Sequence, residues 1–162
     1  MGTEDNQDVG TEDNQRDVDD QFRSILEGLR TTLPGVQVLF AFLLVLPLQA
    51  SFAEIDDISR FAYYVSFFGS ALASVLLIAP SAHQRLRAPI TGVQRRSLTH
   101  LRLTVALTIL GTIVFAISLA AAVFLISTLI LGDSAAVAAT VAVAVVIGWS
   151  WFYIPLVTFE KT

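Results

Sequence analysis

Four long apolar segments dominate the pattern of hydrophobic and polar positions along the chain. None of them contains Asp, Glu, Lys, Arg or His, and about 20 apolar residues in a helix cross a hydrocarbon core of roughly 30 Å. The sequence therefore predicts an all-α integral membrane protein, an up-and-down four-helix bundle over residues 34–162. The predicted spans are Gly35–Phe52, Phe61–Pro80, Leu103–Leu131 and Ser134–Val157.

The first apolar segment is preceded by two segments of more polar composition. Residues 1–18 contain a near-exact repeat, GTEDNQDV followed by GTEDNQRDV, and this acidic composition predicts a disordered tail. Residues 19–33 have apolar side chains at helical spacing, which predicts an amphipathic interfacial helix, lying on the membrane surface or packed on the end of the bundle. We expect Pro34 and Gly35 to break the chain between this helix and the first span.

The connections between the apolar segments differ in charge. The first, Glu54–Arg60, is short and acidic, and within it Ser59 is a candidate N-cap. In the third connection, Gly132 is suited to a left-handed conformation at the end of a helix. The second connection, Ser81–Arg102, carries five arginines and no acidic residue, so the positive-inside rule places it in the cytoplasm. Both termini are then cytoplasmic, and we expect a multi-pass protein of the cell membrane.

Composition agrees with a membrane protein and argues against several functions. Hydrophobic residues make up 54% of the chain, charged residues make up 15%, and the mean hydropathy is +0.68. The net charge of −4 argues against a nucleic-acid partner, and the lack of cysteine excludes thiolate metal sites. His83 and His100 are 17 residues apart with no carboxylate between them, which is poor spacing for a metal site. Since no catalytic motif is present either, we expect no enzyme activity, no cofactor and no metal.

The predicted spans also lack the groups that ion-coupled transport requires. A transporter driven by protons or sodium needs a side chain that gains and loses charge within the membrane. The nearest carboxylates, Glu54, Asp56, Asp57 and Asp133, all lie at the predicted outer rim. The sequence therefore argues against an autonomous ion antiporter.

Polar side chains and one proline within the spans are the candidate functional residues. Pro47 removes the helical hydrogen bond to the Leu43 carbonyl and is expected to kink the first span. We expect the Gln49 amide to satisfy a freed or terminal carbonyl, or to bond a neighbouring helix. Rows of small and hydroxyl side chains favour helix contacts within one subunit, while subunit contacts and a hydroxyl-lined pathway stay open. The candidates for a polar pathway or for helix contacts are Gln37, Pro47, Gln49, Thr104, Thr108 and Thr112.

The arginine-rich connection allows three interpretations. Its charges set the topology alone, or they bind anionic lipid head groups, or they meet the acidic tail of the same or a neighbouring subunit. The candidate contacts to anionic lipid are Arg85, Arg87, Arg95 and Arg96.

The first half of the chain resembles a known group of proteins over roughly residues 25–86. The motifs that carry the resemblance follow one another as LEGLR (Leu26–Arg30), GVQ (Gly35–Gln37), FLLVLPLQASF (Phe42–Phe52) and LLIAPSAHQRL (Leu76–Leu86). They are similar to those of small prokaryotic four-helix membrane proteins that are grouped as a domain of unknown function. The resemblance implies the same fold, and members are sometimes described as sodium:proton antiporters.

These patterns lead to two hypotheses about function. The first is a structural or interaction subunit that lies in the lipid bilayer and forms a homo-oligomer or accompanies a larger membrane protein. The alternative is a homo-oligomeric channel or passive transporter for ions or small solutes, with Gln37, Gln49 and the threonine row as its polar lining.

Overall fold

The computed structural model describes the backbone of residues 4–87, 98–153 and 157. These residues form helices and short turns, and no strand occurs among them, which confirms the all-α fold class. Two 3₁₀ turns, Leu46–Leu48 and Ala50–Glu54, connect the first two helices, and a π-helical turn, Gly148–Tyr153, follows the last. The α-helices are α1 (Glu4–Val45), α2 (Asp57–Arg87), α3 (Leu98–Leu131) and α4 (Asp133–Ile147).

Four helical stretches are long and apolar enough to cross a membrane, and the first and last of them extend beyond α1 and α4 into the adjoining 3₁₀ and π-helical turns. These stretches are 26, 27, 31 and 19 residues long, against the roughly 20 residues that a bilayer requires. The first begins twelve residues earlier than the sequence predicts and ends at Leu48, four residues earlier. The candidate spans are Arg23–Leu48, Asp57–His83, Leu101–Leu131 and Asp133–Trp151.

α1 continues through Pro34, where the sequence predicts a break. A proline within a helix removes one hydrogen bond, here to the Arg30 carbonyl, and this loss must be offset by other contacts. Leu29 and Val36, on either side of Pro34, are buried against α2 and α3, in one cluster with Leu77 and neighbouring apolar side chains. Tertiary packing on both sides of the proline therefore outweighs the local tendency to break.

The backbone of residues 4–18 is also helical and belongs to α1, in place of the disorder that composition predicts. Once a helix is nucleated, each further residue adds a hydrogen bond at small entropic cost. The helix is therefore extended from the packed part of α1 towards the N-terminus.

The helices form an open set. α2 packs along α3, α1 packs mainly on α2 and touches α3, and α4 packs on α3; in the described part of the chain, α1 and α4 do not contact each other. Both short connections, Leu46–Asp56 and Gly132, lie at one end, which we call the turn end. The opposite end, with His83 and Leu101, is called the loop end. The up-and-down order is thus as predicted, but the set is not closed between its first and last helices.

Candidate functional site

The polar side chains of the turn end begin with the cap of α2. Asp56 Oδ2 accepts a hydrogen bond from the backbone N–H of Ile58 at 3.2 Å, and Oδ1 accepts one from the N–H of Ser59 at 3.3 Å. The Ser59 hydroxyl and these backbone N–H groups lower the pKa of Asp56 from its ordinary value. The N-cap is therefore Asp56 rather than the expected Ser59, which lies inside the first turn of the helix.

Pro47 lies in the 3₁₀ turn that ends α1, and the carbonyl it frees has a partner in α2. The Tyr63 hydroxyl donates a hydrogen bond to the Leu43 carbonyl oxygen at 3.1 Å, and the contact is buried. The Gln49 side chain is exposed, and its backbone N–H donates to the Leu46 carbonyl. The expectation that a freed carbonyl needs a donor here is correct, but Tyr63 supplies the donor for Leu43.

An aromatic cluster surrounds this hydrogen bond. The ring of Tyr63 is 4.8 Å from that of Phe52 in an edge-to-face arrangement, and 5.8 Å from that of Phe67 in a stacked one. Phe67 also stacks on Phe40 of α1 at 5.2 Å. The cluster joins α1, α2 and the connection between them, so that Tyr63 is 7% exposed while its neighbour Tyr64 is half exposed. In the sequence, the sign of this contact is Pro47, four residues after Leu43. It indicates that the Leu43 carbonyl needs another donor, but it does not identify Tyr63 as that donor.

A row of small and hydroxyl side chains lines the contact between α2 and α3. The Ser59 and Thr128 hydroxyls are 3.3 Å apart at the turn end, and further along the Ser118 hydroxyl donates to the Ser66 carbonyl. A Cβ on Gly69 would lie 3.1 Å from the Ser118 Cβ, so the helix backbones approach closely there. The hydroxyl of Ser66 is buried and lacks a partner among the described residues. This row is a packing seam between two helices of one chain.

The predicted threonine row makes hydrogen bonds within its own helix. The Thr108 hydroxyl donates to the Thr104 carbonyl at 2.9 Å, and the Thr112 hydroxyl donates to the Thr108 carbonyl at 2.8 Å. Thr104 itself is buried. Because these hydroxyl donors bond their own backbone, the geometry of Thr108 and Thr112 is that of ordinary helix packing.

The two glutamines of the candidate set point away from the helix contacts. Gln37 and Gln49 are both exposed, and neither side chain has a hydrogen-bond partner among the described residues. Gln49 lies at the turn end, whereas Gln37 lies within the first candidate span. The structure therefore does not bring the glutamines together with the threonine row into one lining.

The predicted anionic-lipid contacts fall largely outside the described part of the chain. Arg95 and Arg96 lie outside the described residues, and the side chains of Arg85 and Arg87 are likewise not described, although their backbone belongs to α2. His83 is exposed near the end of α2. Over the described residues, no group of three or more potential ligands is placed to hold a metal ion.

The ends of α4 show two features that the sequence indicates only in part. Gly132 has a positive φ of 84°, as expected for a glycine there, but with a ψ of 169° it serves as the N-cap of α4. At the other end, the π-helical turn stacks Trp149 on Tyr153 at 4.6 Å and places Trp151 6.1 Å from Phe115 of α3. Hydropathy does not reveal such a change in helix type.

The length and apolar composition of four helical stretches thus define the class: a multi-pass membrane protein with a polar seam between two of its helices. A model of the family of unknown function DUF6328 matches residues 11–155. The chain belongs to this family, in agreement with the group of unknown function that its first half resembles. The chain has no significant match among curated proteins and none among solved structures.

Proposed function

We propose that the chain is a small non-catalytic subunit of the cell membrane that assembles with further copies of itself or with a larger membrane protein. The observation that carries this proposal is the open arrangement of the helices. In the described residues α1 and α4 do not contact each other, so each keeps a long uncovered side. In a closed bundle these two sides would be covered by neighbouring helices of the same chain.

The hydrogen bonds of the hydroxyl side chains favour this function over a channel. Thr108 and Thr112 donate to carbonyls of α3, and Ser70 and Ser74 donate to carbonyls of α2. A polar pathway requires side chains that are free to solvate what passes. Hydroxyl groups that are already bonded to the backbone of their own helix are instead typical of ordinary helix packing.

The proposed orientation places both termini and the arginine-rich connection in the cytoplasm. It rests on the five arginines between Ser81 and Arg102 and on the acidic residues of the two short connections. The two short connections lie at one end of the helix set and the arginine-rich connection follows the other end. This agrees with acidic residues on one side of the membrane and arginines on the other.

Gentle extraction of the protein from its own membrane tests the proposal. We expect lipid-polymer nanodiscs to yield particles whose mass corresponds to two or more copies, or to one stoichiometric complex with another membrane protein. A monomer that carries no partner at native abundance would contradict the proposal. Ion or solute flux in liposomes above that of protein-free vesicles would support the channel instead.

A further inference from the structure

Gln37 occupies an unusual depth for an amide side chain. It lies fourteen residues after the start of the first candidate span at Arg23 and eleven before its end at Leu48. At 1.5 Å per residue, the latter separation is about 16 Å, which is about half of a hydrocarbon core of roughly 30 Å. The side chain of Gln37 is therefore close to the middle of the bilayer.

The side of α1 that carries Gln37 is uncovered. Pro34, Gln37, Ala41 and Leu44 recur every three or four residues along one side of α1, and all four are exposed. We call these residues the Gln37 face. Its lack of contact with α4 leaves it open to the membrane.

An amide in hydrocarbon needs a hydrogen-bonding partner. Water is absent at that depth, and among the described residues no group of this chain bonds the Gln37 side chain. A lipid tail offers neither donors nor acceptors. A polar group on another protein helix at the same depth would supply that partner.

We infer that this partner is Gln37 of a second copy of the chain, so that two Gln37 faces pack about a two-fold axis. An amide carries both donors and an acceptor, and so two glutamines satisfy each other without any further residue. Two copies inserted in the same direction hold Gln37 at the same depth. Ala41 and Pro34 are smaller than leucine, which allows the two α1 helices to approach closely. The inference rests on the proposed assembly and specifies its contact.

The test compares matched glutamine variants in lipid vesicles. The fraction of dimer is measured by single-molecule photobleaching while the protein-to-lipid ratio is lowered. We expect Gln37→Leu to weaken dimerisation roughly tenfold, the size typical of interhelical hydrogen bonds. Gln49→Leu, which alters an exposed amide at the turn end, should leave dimerisation unchanged, and Gln37→Asn should restore much of it.

Cysteine crosslinking provides a second measurement that does not depend on removing the glutamine. The chain has no native cysteine, so Ala41→Cys or Leu44→Cys introduces a single reactive site on the Gln37 face. We expect these variants to form disulfide-linked dimers on mild oxidation. Val141→Cys, at an exposed position of α4, is the matched control and should form no disulfide-linked dimer.

The possible failures can be told apart. If Gln37→Leu dimerises as well as the wild type, or if Val141→Cys crosslinks in place of Ala41→Cys, the Gln37 contact is refuted while the assembly of copies stands. A protein recovered only in complex with a different membrane protein refutes the contact and supports the proposed function. A wild-type protein that is monomeric at every ratio and carries no partner refutes both.

Discussion

The hydroxyl of Tyr63 and the ring of Pro47 act on the same backbone carbonyl, that of Leu43. The proline removes its helical donor and the tyrosine supplies a replacement from the next helix. Immediately before α2, the carboxylate of Asp56 accepts hydrogen bonds from two backbone N–H groups that have no partner within the helix. At the scale of single residues, the polar side chains of the turn end therefore compensate for backbone groups that helix ends and prolines leave unpaired.

Replacing Tyr63 with phenylalanine should destabilise the fold by about 0.6–2 kcal/mol, because the Leu43 carbonyl loses its donor in an apolar environment. The free energy of unfolding in mixed detergent micelles measures this loss. Tyr64→Phe, which changes a half-exposed ring, is the control and should have little effect. In a Pro47→Ala background the cost of Tyr63→Phe should shrink, and an unchanged cost would contradict the link between proline and tyrosine.

The cap of α2 should make stability depend on acid pH. The pKa of Asp56 is lowered in the folded state, mainly by the hydroxyl and backbone N–H of Ser59. A group with a depressed folded pKa contributes stability above its unfolded value, here 3.8, and loses it as the pH falls through the folded pKa. We expect the decline in unfolding free energy below about pH 4 to be shallower in Asp56→Asn. Asp133→Asn is the control, since the N-cap of α4 is Gly132 and not Asp133.

At the scale of the elements, α2 and α3 form the centre of the structure. Their close approach depends on small side chains: Gly69 meets Ser118, and Gly111 meets Leu77, which is fully buried. α1 depends on this pair, since its buried leucines and valine pack against the same region and hold the helix together across Pro34. The central helices α2 and α3 can therefore approach closely because the side chains at their contact are small.

Gly111→Ala should destabilise the protein by about 1–3 kcal/mol, because the new Cβ would lie 2.9 Å from the Leu77 side chain. Gly35→Ala is the matched control. It also lies within a helix, but a Cβ added there would meet no heavy atom within 4 Å, so helix propensity alone should stabilise it by up to about 1 kcal/mol. Thermal unfolding of both variants measures the difference. If both substitutions changed the stability in the same direction, the close approach of α2 and α3 would be contradicted.

At the scale of the whole molecule, the open set of helices leaves two different surfaces to the membrane. One is the Gln37 face of α1, which carries a polar group at mid-depth. The other is the uncovered side of α4, where the exposed positions Val137, Val141 and Val145 are apolar. Lipid suits the second surface, while the amide on the first favours a protein neighbour. The assembly proposed above follows from this asymmetry.

The topology of the molecule can be tested with single cysteines, because the native chain has none. We expect Thr3→Cys, Gln94→Cys and Thr162→Cys to react with an impermeant maleimide only after the cells are opened. Ala53→Cys, in the first short connection, and Asp133→Cys, directly after the second, should react in intact cells. The reverse pattern would show that the arginine-rich connection is outside and would overturn the proposed orientation.

The sequence by itself determined the fold class, the number of candidate spans and the positions of the short connections. These depend on hydropathy, charge and glycine or acidic residues that act locally, which is why Gly132 and the acidic start of α2 could be located in advance. The tertiary structure decided which groups meet: Tyr63 rather than Gln49 bonds Leu43, α1 passes Pro34 intact, and Gln37 faces outward. Such outcomes depend on how each helix is rotated against its neighbours, and packing between residues far apart in the chain sets that rotation.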